Sequence, residues 1–298
     1  MTTAISAPIL PRIREISQPS HSPLWDIWLG LRRSPSGMVG LIIVALHIAL
    51  ALAAPAIVPY DPVAFDTAAI RAAPSVAHPF GTDKLGRDIF SRTLLGGRVV
   101  ILVTVIGSVI AVTWGSFLGI SVGYLGGAMD EITMRLVDAI LALPRLLILL
   151  LVASVFGTDT IVLILTLGFL YGVAVIRIAR ATTLNFVAQD FILAAYATGV
   201  SPRRIILRHL LPNVLDILLV EGALRWSWML LSFSALSFLG FGATRPTSDW
   251  GLMIANNRDV LALAPWATFF PIGAISTLII GVNLLAGSLA KAIGLDRN

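Results

Sequence analysis

The chain has 298 residues, of which 57% are hydrophobic and 12% are charged, whereas an average soluble domain carries about 25% charged residues. This composition excludes an ordinary soluble protein and is typical of a chain that crosses a lipid bilayer several times. The net charge of +5 does not indicate a nucleic-acid partner, because the positive-inside rule explains it better. The absence of cysteine excludes disulfide bonds and thiolate metal sites.

The chain begins with a polar leader, residues 1–36, which is rich in proline and serine. It contains Arg12, Arg14, Arg32 and Arg33 but no apolar h-region, so we expect no cleaved signal peptide. These arginines precede the first apolar segment and favour a cytoplasmic amino terminus.

Six largely apolar segments follow, each close to or longer than the roughly 20 residues that cross the hydrocarbon core. They are residues 34–60, 99–129, 139–158, 160–176, 217–244 and 260–290. The fold class predicted from them is an all-α membrane protein with six transmembrane helices. We assign the first transmembrane helix to residues 37–58, an outer loop to 59–96, a core of five transmembrane helices to 97–290 and a cytoplasmic tail to 291–298.

The lysines and arginines are distributed unevenly over the connecting segments. With both termini in the cytoplasm, twelve of them fall in the inner segments and seven in the outer segments. The positive-inside rule therefore predicts a multi-pass protein of the cytoplasmic (inner) membrane with both termini in the cytoplasm.

Small residues recur at every fourth position of the second span. The series is Gly107, Ala111, Gly115, Gly119, Gly123 and Gly127. Such a series lies along one helix face and lets a neighbouring backbone approach closely. We therefore predict a tight helix contact, within the chain or with another subunit, at Gly115, Gly119, Gly123 and Gly127.

Three charged residues interrupt the apolar segments: Arg145, Glu221 and Arg225. The i,i+4 spacing of Glu221 and Arg225 allows an ion pair on one helix. Two interpretations stay open: a self-neutralised pair near the cytoplasmic surface, or two residues that line a translocation path. Arg145 follows Pro144 at the start of its span, so we expect its side chain to extend towards the membrane surface.

The sequence contains no recognisable catalytic or cofactor-binding motif. Lys84 and Lys291 are the only lysines, and neither belongs to a phosphate-binding Gly-Lys-Ser/Thr step. The four histidines are scattered and form no HExxH motif. We expect no catalytic residue, metal or cofactor on this chain, so uphill transport would need a partner or an ion gradient.

The segment 190–213 reads as two short helices with a sharp bend on the cytoplasmic side. Gly199 occupies the position where a helix commonly ends in a left-handed residue, Ser201 is a good N-cap and Pro202 suits the first helical turn. The second helix is predicted to end near Pro212.

Arg203 and Arg204 lie in the first turn of this second helix, where the helix dipole disfavours cations. Another interaction must therefore keep them there. Membrane orientation, lipid headgroups and docking of a soluble partner are the three candidates.

The spacing of Ala194-Ala195, Gly199 and Leu211-Pro212 resembles the EAA loop of the permeases of ABC importers. Leu193 stands where that motif has glutamate, and His209 stands where many members have isoleucine. The rest of the segment, including Arg208, is similar to the dipeptide, oligopeptide and nickel branch of these permeases. The resemblance implies that the segment docks on an ATPase subunit.

Two further blocks resemble the same branch. The first, residues 78–92, matches its outer-loop signature at Phe80, Gly81, Thr82, Asp83, Gly86, Arg87, Asp88, Ser91 and Arg92. The second runs from Leu236 to Gly242 and is followed by Trp250-Gly251. Within the first block, the i,i+4 spacing predicts that Asp83 pairs with Arg87, and Asp88 with Arg92, on a short helix. A metal site on these aspartates is a weaker alternative.

The resemblance implies a type I importer permease that moves dipeptides, oligopeptides or a related small solute. The implied partners are a second homologous permease, two ABC ATPase subunits that hold ATP and Mg, and an extracytoplasmic solute-binding protein. The chain itself would be no enzyme. Two alternatives are a secondary transporter or channel without an ATPase, and an intramembrane enzyme.

Overall fold

The computed structural model describes residues 23–243 and 249–294, with side chains described from Trp28 onward. The described residues form eleven α-helices: α1 Pro23–Arg33, α2 Pro35–Ile57, α3 Ile89–Leu125, α4 Gly127–Leu141, α5 Arg145–Phe156, α6 Thr160–Val187, α7 Asp190–Ala197, α8 Pro202–Ile205, α9 Leu211–Leu236, α10 Trp250–Asn257 and α11 Trp266–Ile293. Two π-helical turns, Ile206–Leu210 and Ser237–Phe241, lie before and after α9. Two 3₁₀ turns lie at Thr67–Ala69 and Arg258–Val260.

Four of these helices, α2, α3, α6 and α11, are long and apolar enough to cross a membrane. Helices α4 and α5 form a fifth candidate span that is bent by 84°. Helix α9, the counterpart of the predicted span 217–244, is not among the four, and it carries Asp216, Glu221 and Arg225. The all-α membrane fold is therefore confirmed, whereas these criteria support five spans in the described residues instead of six.

Several predicted boundaries differ from the observed helices. Helix α3 begins at Ile89, ten residues before the predicted span, because the carboxylate of Asp88 caps it by accepting the Ser91 N–H at 2.7 Å. The end of the predicted outer loop 59–96 is thus the start of a membrane helix. At the other end of the chain, α11 continues to Ile293, past the predicted boundary at residue 290. Residues 1–22 of the leader and 295–298 of the tail lie outside the described residues.

The predicted span 139–158 is two helices that meet at Pro144. Pro144 has φ −61° and ψ 113°, so it stands outside helical geometry and serves as the first flanking residue of α5. Proline lacks the N–H that would continue the α4 ladder, which explains the break. Arg145 consequently begins a new helix at a bend of 84° and does not begin a straight span.

Helices α3 and α6 run parallel and pack through glycine. An ideal Cβ on Gly115 would stand 2.5 Å from the carbonyl oxygen of Gly172, and one on Gly123 would stand 3.1 Å from that of Arg180. The approach at Gly115 leaves no room for a side chain and that at Gly123 leaves little, so the predicted contact falls within the chain, between these two helices. Gly127 is different: it begins α4 with φ +61° and has nothing within 4 Å of its ideal Cβ. The packing role predicted for Gly127 is wrong, because the helix ends at Leu125 and the chain turns at Gly126.

Hydrogen bonds between helices tie α9 to its neighbours. The Ser108 hydroxyl of α3 donates to the carbonyl of Gly222 at 3.0 Å, and the Trp226 indole N–H donates to Thr104 at 2.9 Å. On the other side, the Asn283 amide of α11 donates to Ser227 at 2.9 Å. Interhelical hydrogen bonds of this kind stabilise membrane bundles. Helix α9 is therefore anchored to both α3 and α11 near its middle.

Large apolar side chains cover the outside of the bundle. Exposed examples are Leu147, Leu151, Val155, Phe156, Ile161, Leu165 and Phe169, on α5 and α6. An apolar surface of this extent is stable against lipid or against another membrane subunit, and not against water. This feature agrees with the predicted contact with the lipid bilayer.

Candidate functional site

The bend in segment 190–213 has the hydrogen bonds of a Schellman motif. Helix α7 ends at Ala197, and Gly199 follows with φ +76°. The N–H of Gly199 donates to the carbonyl of Tyr196 at 3.0 Å, and the N–H of Val200 donates to that of Ala195 at 3.1 Å. These two bonds satisfy carbonyls that a helix end would leave free. The bend is therefore a defined turn whose geometry depends on glycine.

A second helix starts directly after this turn. Ser201 is extended, with φ −63° and ψ 146°, and its carbonyl accepts the Arg204 N–H at 2.9 Å. Pro202 occupies the first turn, where its missing N–H is harmless. The Ser201 hydroxyl makes no capping hydrogen bond, so its part in starting the helix is played by its backbone.

The second helix does not end near Pro212, which corrects the sequence-based boundary. A π-helical turn at Ile206–Leu210 joins α8 to α9, with the Leu211 N–H donating to the Ile206 carbonyl. The Asn213 amide donates to the carbonyl of His209 at 2.6 Å. This wider turn accommodates proline within a continuous helix. Segment 202–236 is therefore one helical rod that begins at the bend and enters the bundle.

The helix pair rests on the bundle, at the C-terminal half of α6, through three buried side chains. Ile192, Ile205 and Leu210 pack with Val175 and Ala179 of α6 in one apolar cluster. Burial of apolar side chains supplies roughly 1.5–3 kcal/mol each, which holds such a short helix pair in place. The pair is thus a fixed part of the fold.

The opposite face of the helix pair is exposed. Tyr196 is 72% exposed and Leu193 is 53% exposed, so two large apolar side chains project from α7. Ala194, Arg203, Arg204 and Arg208 are exposed as well. Among the described residues, no acidic group lies within 4.0 Å of these three arginines. A surface that combines exposed apolar groups with unneutralised cations is suited to protein contact. We call the surface formed by these six residues the 190s surface: Leu193, Ala194, Tyr196, Arg203, Arg204 and Arg208.

Glu221 and Arg225 form the ion pair that their spacing predicts. Arg225 Nε lies 2.5 Å from Glu221 Oε1, and the two side chains are 17% and 7% exposed, respectively. Both residues face the interior of the bundle. This geometry agrees with a self-neutralised ion pair. A role of the two residues in the translocation path stays a prediction.

Asp83 is the centre of the outer-loop block. Its fully buried carboxylate accepts the Arg87 Nε–H at 2.7 Å and the N–H groups of Leu85 and Arg87 at 2.8 and 3.0 Å. Residues 83–87 form a turn and not the short helix that was predicted, with Gly86 at φ +77°.

The second predicted ion pair of this block is wrong. Asp88 contacts His78 Nδ1 at 2.9 Å and caps α3. Arg92 instead donates to the carbonyl of Pro62 at 2.7 Å and places its Nε 3.9 Å from Asp83. The i,i+4 rule applies to residues on one helix, and Asp88 lies outside the helix that contains Arg92.

The block around residues 236–251 forms a closely packed corner. Asp249 is fully buried and caps α10 by accepting the Leu252 N–H at 3.0 Å. Burial raises the pKa of this carboxyl, although hydrogen bonds from the backbone N–H groups of Leu252 and Ala243 lower it. Gly251 lies directly against the backbone of Ser234, which leaves no space for a side chain.

Arg145 was expected to extend towards the membrane surface, and this expectation is wrong. Its Cζ lies 4.3 Å from the centroid of the fully buried Tyr171 ring, and Arg145 itself is half-buried. The Tyr171 hydroxyl donates to the carbonyl of Trp228 at 2.9 Å and lies 2.6 Å from the Ser232 hydroxyl. Sequence reasoning missed Tyr171 because a tyrosine in an apolar run gives no sign of its partners.

Two further ion pairs join α4 to α6. Asp130 forms an ion pair with Arg180, and Asp138 forms one with Arg177. These pairs attach α4 to the C-terminal half of α6. Their sequence separation exceeds 35 residues, so no local spacing rule would have identified them.

The fold and these features define a polytopic membrane protein with a polar loop at one end of the bundle and an exposed helical projection at the other. The family described as "Binding-protein-dependent transport system inner membrane component" matches residues 115–294. The N-terminal TM domain of oligopeptide transport permease C matches residues 22–74.

The chain belongs to the family of binding-protein-dependent transport system inner membrane components. It is 36% identical over 281 residues to the Bacillus subtilis (strain 168) oligopeptide transport system permease protein OppC, covering 94% of this chain and 92% of that one. It is 32% identical over 287 residues to OppC of Haemophilus influenzae, covering 96% and 92%. It is also 35% identical over 274 residues to the glutathione transport system permease protein GsiD of Escherichia coli O1:K1 / APEC, covering 92% and 90%.

Proposed function

We propose that this permease subunit imports dipeptides, oligopeptides or a closely related solute with energy from ATP hydrolysed on partner subunits. The relatives named for oligopeptides and glutathione support this substrate class. The complex would contain a second homologous permease, two ABC ATPase subunits and a solute-binding protein on the outer side. ATP and Mg would bind to the ATPase subunits.

The 190s surface is the observation that carries this proposal. It is exposed, it is attached firmly to the bundle, and it continues through the π-helical turn into α9. A push on α7 and α8 would therefore move a helix that is hydrogen-bonded to α3 and α11. This is how closure of an ATPase pair can bias two arrangements of the membrane helices.

The proposed orientation follows from the same surface. If α7 and α8 meet a cytoplasmic ATPase, the loop 59–88 lies on the outer side with the solute-binding protein. Both termini then lie in the cytoplasm. The arginines of the 190s surface agree with this orientation under the positive-inside rule.

Co-purification tests the proposed docking. A tagged permease should retain both ATPase subunits in mild detergent, and Tyr196→Glu should reduce the retained ATPase at least fivefold, because a charge replaces an apolar anchor. The matched control is Leu261→Glu, an exposed leucine at the opposite end of the fold. Equal retention by wild type and Tyr196→Glu would contradict docking at this surface, and a functional importer without an ATPase would favour a secondary transporter.

A further inference from the structure

Arg145 is a half-buried cation at the start of α5 that has no counter-ion among the described residues. Among the described residues, no acidic group lies within 4.0 Å of its guanidinium. Its neighbour is the ring of Tyr171, at 4.3 Å. A charged residue within a membrane span is costly and usually marks a polar partner or pathway. The feature therefore needs an explanation beyond packing.

The depth of Arg145 follows from two helices. Helix α5 has 12 residues, which places Arg145 about 17 Å from its outer end at 1.5 Å per residue. Tyr171 is the twelfth residue of α6, which gives it about the same depth. Because the hydrocarbon core is about 30 Å thick, this length along the two helices corresponds to about half of it.

The charges on the neighbouring helices do not neutralise Arg145. On α6, Arg177 and Arg180 pair with Asp138 and Asp130. On α9, Glu221 pairs with Arg225. The remaining acid of α9, Asp216, lies in the second turn of that helix, far from the level of Trp228 and Ser232 that Tyr171 contacts.

The surroundings of Arg145 favour an anion. The first N–H groups of a helix have no intrahelical acceptor, and the helix dipole adds partial positive charge at the start of α5. Breaks of this kind near the middle of a membrane helix occur at the binding sites of transporters, where helix starts face anionic groups of the substrate. Arg145 adds a full positive charge at the same place.

We propose that Arg145, held by Tyr171, binds the carboxylate of the solute as it passes through the middle of the membrane. This inference rests on the proposed function, because dipeptides, oligopeptides and glutathione all carry a free carboxylate. Arginine binds carboxylates through two parallel hydrogen bonds, which suits a transient contact with the end of a peptide.

The same contact connects the site to the 190s surface. Tyr171 donates its hydroxyl hydrogen to the Trp228 carbonyl, so the short contact with Ser232 is donated by the serine. Both partners lie on α9, the helix that is continuous with α8. A shift of α9 would therefore move the ring that supports Arg145. In this arrangement the carboxylate is held or released according to the state of the ATPase.

The test uses the complete importer in proteoliposomes with loaded binding protein. The probes are trialanine with a free carboxylate and trialanine amide, and the readout is peptide transported per ATP hydrolysed. Arg145→Gln should lower this ratio at least fivefold for the free acid and less than twofold for the amide. Arg145→Lys should restore most of the loss, because it keeps the positive charge. Arg177→Gln, which removes an exposed cation at the inner end of α6, should change neither ratio by more than twofold.

The results separate this inference from the proposed function. Failure to retain the ATPase subunits in the wild type would overturn the proposed function. A coupled wild-type importer in which Arg145→Gln affects both probes equally, or neither, would overturn the carboxylate site alone. Equal losses would indicate that Arg145 pairs with an acidic residue of the second permease. If the wild type takes up only the free acid, Arg145→Lys and Arg145→Gln are compared by the free acid that they transport per ATP hydrolysed. Failure of Arg145→Lys to restore transport would then contradict the proposal.

Discussion

Gly119 of α3 lies against the backbone of Ile176 in α6, so that an ideal Cβ on the glycine would stand 2.5 Å from the carbonyl oxygen of Ile176. We predict that Gly119→Ala lowers the free energy of unfolding by about 1–3 kcal/mol, because the methyl group overpacks the interface. Gly287→Ala is the control, since nothing lies within 4 Å of its ideal Cβ and alanine favours helix there. Thermal unfolding of the purified permease measures both. Equal midpoint temperatures of unfolding for Gly119→Ala and Gly287→Ala would contradict the packing described for α3 and α6.

Asp83 should be the most sensitive residue of the outer loop. Asp83→Asn leaves Arg87 without its buried counter-ion and disturbs two backbone hydrogen bonds. Loss of one member of a buried pair typically costs about 3–5 kcal/mol. We expect a large decrease in the yield of folded permease and faster proteolysis of the loop 59–88. A variant as stable as the wild type would show that the turn at residues 83–87 does not depend on this carboxylate.

Lys84 and Asp259 provide the exposed comparison for Asp83. The hydrogen bond from Lys84 lowers the pKa of Asp259 below its usual value. The stabilisation from this pair is therefore present above the ordinary carboxyl pKa, and it is lost as the pH falls through the lowered value. We predict that Asp259→Asn leaves stability unchanged between about pH 6 and pH 8, because exposed ion pairs contribute little. A loss comparable to that of Asp83→Asn would contradict this ranking.

Glu221 and Arg225 can be tested with a double-mutant cycle. If they only neutralise each other, Glu221→Gln and Arg225→Gln should each lower stability, and the double variant should recover part of the loss. If Arg225 lines the path instead, the double variant should be stable but inactive in uptake. Unfolding and uptake are measured on the same preparations. Small, additive effects on both properties would exclude each role.

The orientation of the chain can be tested without background, because the sequence has no cysteine. We predict that an impermeant thiol reagent labels Thr67→Cys from outside intact cells and labels Ser201→Cys only after the cells are opened. Both positions are exposed in the fold. External labelling of Ser201→Cys, with no labelling of Thr67→Cys, would invert the proposed topology.

Local rules predicted the parts of this fold that depend on neighbouring residues. The turn at Gly199 that follows α7, the start of α8 at Pro202 and the pairing of Glu221 with Arg225 are all set by residues within four positions of each other. Glycine at a left-handed position and proline at a helix start have strong local preferences. Such features can be read from one sequence.

The errors concern relationships that local rules do not contain. Pro144 breaks a helix, whereas Pro212 follows a π-helical turn within a continuous one, and their sequence contexts do not distinguish them. Arg145 was misplaced because its position depends on the bend and on Tyr171, 26 residues away. The pairing of Asp88 with His78 likewise depends on how the outer loop folds back.

The central claim is that the 190s surface couples an ATPase to the membrane helices. Gly199→Val should strain the positive-φ turn and redirect α8, because a β-branched residue disfavours φ +76°. Gly157→Val is a matched control: Gly157 has φ +86° and equally open surroundings, but it lies in the turn between α5 and α6. Arg204→Glu provides a second test, because an acid suits the first turn of α8 but reverses the charge offered to a partner.

The most direct measurement is ATP hydrolysis by the reconstituted importer with and without loaded binding protein, together with solute uptake. The account predicts that Gly199→Val and Arg204→Glu insert and assemble with the second permease but lose most of the stimulated hydrolysis and uptake, whereas Gly157→Val keeps both. Wild-type stimulation and uptake in both Gly199→Val and Arg204→Glu would contradict it, and the 190s surface would then serve membrane orientation alone.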